Sequence, residues 1–217
     1  MCGIAGIILQ PHTALPDLAA RLAAMAQAMT HRGPDDEGIY LDPTGQVGLA
    51  NRRLAIRDLS PAGHMPMQTT DGAVTITYNG EIYNAGELRH DLAALGYRFR
   101  SQSDTEVILL GYVAWGKAIV KRLRGMFAFA ILDERYGAYR PGTVLLARDH
   151  LGIKPLYYAQ TSAGLFFASE LKALLAAGVV SREIGAAGLV GYLLLGSVPN
   201  PLTIYREVAA LPPASLI

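Results

Sequence analysis

The chain of 217 residues has a single cysteine, Cys2, so no disulfide framework can brace it, and a reducing cytoplasm suits it. It has no Asn-x-Ser/Thr sequon. Its longest apolar run, residues 126–132, falls far short of the ~20 residues that span a bilayer. The opening MCGIAGIILQ lacks the basic flank and long apolar region of a signal peptide. A net charge of +1 gives no basic surface for nucleic acid. The five histidines are scattered with no metal spacing; four of them, His31, His64, His90 and His150, read as ordinary polar residues, and no metal site is expected. These absences describe a cytoplasmic protein with neither membrane nor nucleic acid as partner. Half of its residues are apolar (51%), ample for a sizeable core.

One near-motif is set aside. Residues 111–118 approach a phosphate-binding P-loop, but end in Ala118, which lacks the magnesium-binding hydroxyl. The stretch also closes a helical pattern instead of following a strand, so a helix end at Gly116 is expected.

The residue that carries chemistry is Cys2. Once Met1 is removed, Cys2 holds a thiol and a free α-amine together, a nucleophile beside its own base. Such an amine titrates near pH ~8, closer to neutrality than a lysine at ~10.4. It can take the thiol proton and return a proton to a leaving group. If Met1 is retained, that nitrogen is locked in a peptide bond and the base is lost. Residues 3–9 are apolar and β-branched, a buried strand that would hold Cys2 on a rigid element.

Downstream, Leu18, Leu22, Met25 and Met29 mark a helix over about 17–29. Residues 46–50 read as a short strand, and Val74, Ile76 and Tyr78 alternate as another. Leu88, Leu92 and Leu95 line a helix that Gly96 ends. Ser103 and Glu106 form a capping box before an apolar run. Strands follow at 126–133, 143–147 and 165–168, with short helices at 171–176 and about 188–195. Helices and strands cluster and do not alternate, which argues for an α+β fold with antiparallel sheets. A proline-rich stretch with Pro199, Pro201, Pro212 and Pro213 reads as punctuation between domains. The expected division is a domain over 2–178, then a linker and the start of a further domain over 179–217.

MCGIAG is joined by His31-Arg32-Gly33-Pro34-Asp35, Asn51-Arg52-Arg53-Leu54-Ala55-Ile56, Asn79-Gly80-Glu81-Ile82-Tyr83-Asn84 and Ser103-Asp104-Thr105-Glu106. Residues 146–158 and Ala168-Ser169-Glu170-Leu171-Lys172 extend the series. Together they resemble class II glutamine amidotransferases, and within these the N-terminal glutaminase domain of asparagine synthetases. The resemblance implies an N-terminal-nucleophile (Ntn) αββα sandwich, two antiparallel sheets face to face with helices outside. It implies hydrolysis of L-glutamine to glutamate and ammonia through a thioester on Cys2, with ammonia passed to a synthetase domain.

The same resemblance assigns residues. Asn79 and Gly80 would donate to the oxyanion. Arg53 would grip the substrate α-carboxylate, and Glu81 and Asp104 its α-ammonium, while the backbone around Leu54 and Ile56 lines the pocket. On local sequence alone, Asn79-Gly80 also reads as a hairpin turn, Arg53 as a surface charge, and Asp104 as a first-turn helix acid. The His31–Asp35 motif is read as shaping the pocket rim. Arg148-Asp149 is either an internal ion pair or a face for the further domain. No Ser-Gly-Gly-x-Asp pyrophosphatase motif occurs, so no cofactor is expected in this domain, and ATP and magnesium belong to the synthetase domain. Aspartate is the default ammonia acceptor. The alternatives are another acceptor, or a catalytically silent Ntn-like docking module. Oligomeric state is open, a homodimer being one option.

Overall fold

Strands buried on both faces set the architecture. The computed structural model describes residues 1–135 and 142–217. It runs β1 (Gly3–Leu9), α1 (Leu18–Ala28), β2 (Asp36–Leu41), β3 (Val47–Arg53), β4 (Met67–Gln68) and β5 (Val74–Ile82). Then come α2 (Ala85–Ala94), α3 (Asp104–Trp115), β6 (Gly125–Asp133), β7 (Thr143–Arg148), β8 (Tyr157–Gln160) and β9 (Gly164–Ala168). It closes with α4 (Leu171–Ala176), α5 (Ala186–Leu195) and β10 (Ala209–Ala210).

In β1, Ile4 and Ile8 pack to one side and Ala5, Ile7 and Leu9 to the other. In β6, Phe127, Phe129 and Ile131 face away from Ala128, Ala130 and Leu132. A strand needing cover on both faces belongs in a stack of layers. A six-stranded sheet of order β10-β8-β9-β1-β3-β2 faces a four-stranded sheet of order β4-β5-β6-β7. Every pairing between these strands is antiparallel. Ile4, Leu49, Leu132, Leu146 and Phe167 fill the space between the sheets. Helices α1 and α4 cover the outer face of the larger sheet through Leu22, Met25 and Leu174. Helices α2 and α3 cover the smaller one through Leu88, Val107 and Ile108. This is the αββα sandwich expected above.

Local details differ. The capping box is half formed: Ser103 accepts from Thr105 N at 3.1 Å, but Glu106 turns to Arg100 N and Ser101 N instead of closing the box. Leu95 is exposed, not on the packed face of α2. Strands β2, β4, β8 and β10 are additional. β2 is an edge strand with half-exposed Ile39 and Leu41, so acids interrupt its pattern. Within 179–217, β10 pairs with β8, Leu211 is buried, and Ile217 exchanges backbone hydrogen bonds with Leu146 at 2.7 and 3.0 Å. The end of that stretch therefore packs onto the sandwich. Preceding it, α5 leaves Leu193, Leu194 and Leu195 exposed, Leu194 at 77%. Among the described residues, no helix is long and apolar enough to cross a membrane.

Candidate active site

Two strand ends and a helix start converge on the head of β1. Cys2 stands immediately before that strand, which is held between β3 and β9. Arg53 closes β3, the end of β5 carries Asn79, Gly80 and Glu81, and Asp104 opens α3. All eight residues singled out from the sequence, Leu54 and Ile56 among them, line one pocket of about 160 Å³.

Asn79-Gly80 is not a turn. β5 continues through it, with Asn79 opposite Ala128 and Gly80 opposite Phe127. Glycine is required there by close approach: a Cβ would collide with the Met126 carbonyl oxygen and the Tyr78 ring. Asn79 is 1% exposed, and its Nδ2 has no hydrogen-bond partner among the described residues. A buried amide donor left without an acceptor costs about 1–3 kcal/mol. In a pocket it is a donor waiting for a ligand oxygen.

The Cys2 Sγ lies 3.8 Å from the Leu54 carbonyl oxygen. Burial pushes the thiol above its usual range, and Arg53 and the chain's N-terminal cation pull it down by less. Arg53 is buried, and its guanidinium donates to the Asp58 and Ser60 carbonyls. No carboxylate pairs with it among the described residues, so a buried positive charge is left for an incoming anion. Asp104 Oδ2 accepts from the Tyr78 hydroxyl at 2.8 Å and Ile82 N at 2.9 Å. Burial and the Asp104 carboxylate hold the Tyr78 phenol well above its usual range, so it stays a donor. Ile56, 71% exposed, forms the rim.

The His31–Asp35 motif braces this site. Arg32 Nε donates to the Cys2 carbonyl at 2.9 Å, and its Nη1 pairs with Glu170 at 3.0 Å. Asp35 accepts from Ala55 N at 2.8 Å, tying down the loop that carries Leu54 and Ile56. Gly33 lies so close to β3 that a Cβ would overlap the Arg52 carbonyl group. Arg148 and Asp149 are neither paired with each other nor turned outward. Arg148 donates to the Lys154, Gly152 and Leu211 carbonyls, and Asp149 accepts backbone N–H groups.

Sequence reasoning missed two cationic lining residues, Arg57 and Lys154. Arg57 binds Glu81 at 2.8 Å, so Glu81 already has a cationic partner. Its position directly after Ile56 was the available signal. Lys154 lines the pocket from the Arg148–Leu156 segment, and its Nζ lies 3.3 Å from Met1 Sδ. Met1, as expected of a retained initiator residue, lines the pocket and makes the Cys2 nitrogen an amide. No group of three or more metal-ligating residues occurs among the described residues. The false P-loop is the end of α3, closed by Gly116 at φ 58°.

Comparison with known proteins gives a consistent relationship. A family model described as a glutamine amidotransferase domain matches residues 1–217. Asparagine synthetase [glutamine-hydrolyzing] 1 of Bacillus subtilis is 39% identical over 99% of this chain and 33% of its own length. A putative asparagine synthetase of Methanocaldococcus jannaschii is 36% identical over 97% of the chain and 42% of its own length. A protein of Gibberella zeae named amidase chry2 is 35% identical over 82% of the chain and 27% of its own length. The chain thus spans between about a quarter and two-fifths of these curated relatives. Among solved structures, the glutamine phosphoribosylpyrophosphate amidotransferase of B. subtilis superposes with a TM-score of 0.64 at 21% identity, covering 82% of this chain and 44% of that one. That last likeness concerns the fold.

Proposed function

The chain belongs to the glutamine amidotransferase domain family, and from that premise we propose that it hydrolyses L-glutamine with Cys2 as nucleophile and supplies the ammonia to a synthetase domain. The observation that carries the proposal is the unpartnered Asn79 Nδ2, buried in the pocket that Cys2 lines.

With Met1 removed, the Cys2 α-amine takes the thiol proton and Sγ attacks the carbonyl carbon of the side-chain amide. The carbonyl electrons move onto oxygen, and Asn79 Nδ2 and the Gly80 N–H donate to that oxyanion. The carbon–nitrogen bond breaks, the amine returns its proton, and ammonia leaves a γ-glutamyl thioester. Water, deprotonated by the same amine, releases glutamate and restores the thiol. Arg53 binds the α-carboxylate, a planar fork suited to two oxygens. Asp104 receives the α-ammonium, since its structural bonds fall on Oδ2. Glu81 joins it by sharing or exchanging Arg57. An acid without the amine would leave Asp104 without a cationic partner and bind poorly.

ATP and magnesium are assigned to the synthetase domain, not to this pocket. The exposed leucines of α5 are the surface such a domain would cover. Aspartate is the proposed acceptor, following the named asparagine synthetases. The relative named amidase chry2 favours a second reading, in which the same glutaminase serves another acceptor.

Intact mass after acid quenching tests the chemistry. Met1-free protein mixed with L-glutamine is expected to carry a γ-glutamyl adduct on Cys2, and Cys2→Ala none. An adduct on another residue refutes the assignment.

A further inference from the structure

A buried ammonium faces the Cys2 end of the pocket, and the reaction set out above gives it no task. Lys154 is 4% exposed and pairs with no carboxylate among the described residues. Among the described residues its one polar side-chain contact is Met1 Sδ, and a thioether is a weak acceptor. Burying a cation without an anion is costly.

The segment that carries Lys154 is built to hold it. Asp149 accepts from Leu151 N at 3.1 Å, Ile153 N at 2.9 Å, Lys154 N at 2.9 Å and Phe127 N at 3.2 Å. Arg148 clamps the Lys154 carbonyl from the other side at 2.8 Å and bonds Gly152 and Leu211 as well. Both backbone groups of Lys154 are therefore pinned, which fixes where its side chain starts.

What the ammonium meets is the head of the chain. Arg32 and Lys154 are the cations that act on the Met1 α-amine, with the Cys2 thiol and Asp35 as the opposing charges. Arg53 and Asp104 act on the Cys2 thiol; burial and then Arg32 pull the Lys154 ammonium below its usual range, and the Cys2 thiol, Asp149 and Glu81 oppose them. A free α-amine with its ordinary pKa near 8 is mostly protonated at neutral pH and a poor base. A neighbouring cation disfavours a second positive charge.

We propose that Lys154 is a positioning residue for the reaction: its ammonium, freed from the Met1 thioether when Met1 is removed, stands beside the Cys2 α-amine and disfavours a positive charge there, leaving the amine free to act as base. The inference rests on the Cys2 glutaminase reading. It accounts for a buried cation without a carboxylate and for the bracing of its backbone. In this structure the terminal amine is that of Met1, and burial first depresses it, with Arg32 and Lys154 acting the same way against the opposing Cys2 thiol.

The test uses protein shown by intact mass to lack Met1, as wild type, Lys154→Met and Lys154→Arg. Methionine keeps the length of the side chain, so folding is checked by thermal unfolding. For Lys154→Met, the acid limb of kcat/KM for glutamate release moves up by about one pH unit. Activity at pH ~6.5 then falls about tenfold, while the alkaline plateau changes by less than about threefold. Lys154→Arg keeps the limb in place. The amine and thiol titrate as a pair, and losing a cation moves both the same way, so the direction is unambiguous. An unmoved limb, or an equal loss at every pH, overturns the proposal. Alkylation of Cys2 by iodoacetamide across the same pH range reads the pair without turnover. Its profile is expected to shift upward in Lys154→Met, and an unshifted profile overturns the proposal. Wild-type protein that releases no glutamate would sink the glutaminase reading, and the alkylation profiles would still decide the role of Lys154.

Discussion

Replacing Asn79 with alanine separates a catalytic donor from a structural one. In the resting pocket the Asn79 amide nitrogen is buried and bonded to nothing among the described residues. Its removal breaks no existing hydrogen bond. The packing lost with the side chain is offset by relief of an unsatisfied donor, so the change in folding stability stays within about 1 kcal/mol. The transition state is different, because there the nitrogen faces an oxyanion. Losing one such donor costs about 10²–10³ in kcat, or about 2.7–4 kcal/mol. KM is expected to stay within about threefold, since the bond strengthens as charge develops. Asn51 supplies the contrast. Its Nδ2 donates to Thr77 Oγ1 at 3.0 Å and to the Tyr78 carbonyl at 3.2 Å. Asn51→Ala therefore destabilises the fold by about 1–3 kcal/mol. The assay pairs urea unfolding of both variants with steady-state glutamate release. Asn79→Ala that retains kcat within about fivefold, or that destabilises more than Asn51→Ala, refutes the oxyanion role.

Three further outcomes are expected. Arg53→Lys keeps the charge but loses the planar fork, so KM for glutamine rises at least about tenfold with kcat changed far less, read from initial rates. Gly80→Ala forces a methyl against the Met126 carbonyl oxygen, destabilising by about 1–3 kcal/mol in urea unfolding and abolishing turnover. Glu170 lies below the usual carboxylate range, because the bonds from Arg32, His31 and Lys172 outweigh partial burial. A depressed carboxylate contributes stability that is present above its unfolded pKa of ~4.3 and is lost as pH falls through the lower folded value. Glu170→Gln should thus lower stability at pH 7 and flatten its decline below about pH 4, as followed by thermal melts.

Much of the sandwich was legible where a strand is buried on both faces. β1 and β6 read as unbroken apolar runs because each strand serves two cores at once, and α1 shows its helical period through Leu22, Met25 and Met29. Edge elements were not legible: β2 has one partner and mixed faces, and β10 is two alanines given their role only by Tyr157 and Tyr158. At Asn79-Gly80 the local turn signal lost to pairing with Ala128 and Phe127, a tertiary fact no local rule contains. The site residues were found as separated motifs, and the fold brings them together. Their partners were hidden, because Arg57 meets Glu81 and Arg32 meets Glu170 only across the fold. Glu106 likewise left the capping box for backbone groups of the preceding loop, at Arg100 and Ser101. Lys154 sat in a recognised stretch, yet its burial beside Met1 depends on the Arg148–Asp149 clamp.

The central claim is that Cys2 is the nucleophile of a glutaminase. The most direct measurement is glutamate release from L-glutamine by protein whose intact mass shows Met1 removed, compared with a Cys2→Ala variant that unfolds at the same temperature. Release is expected from the first and none above background from the second. Equal release by both would contradict the claim.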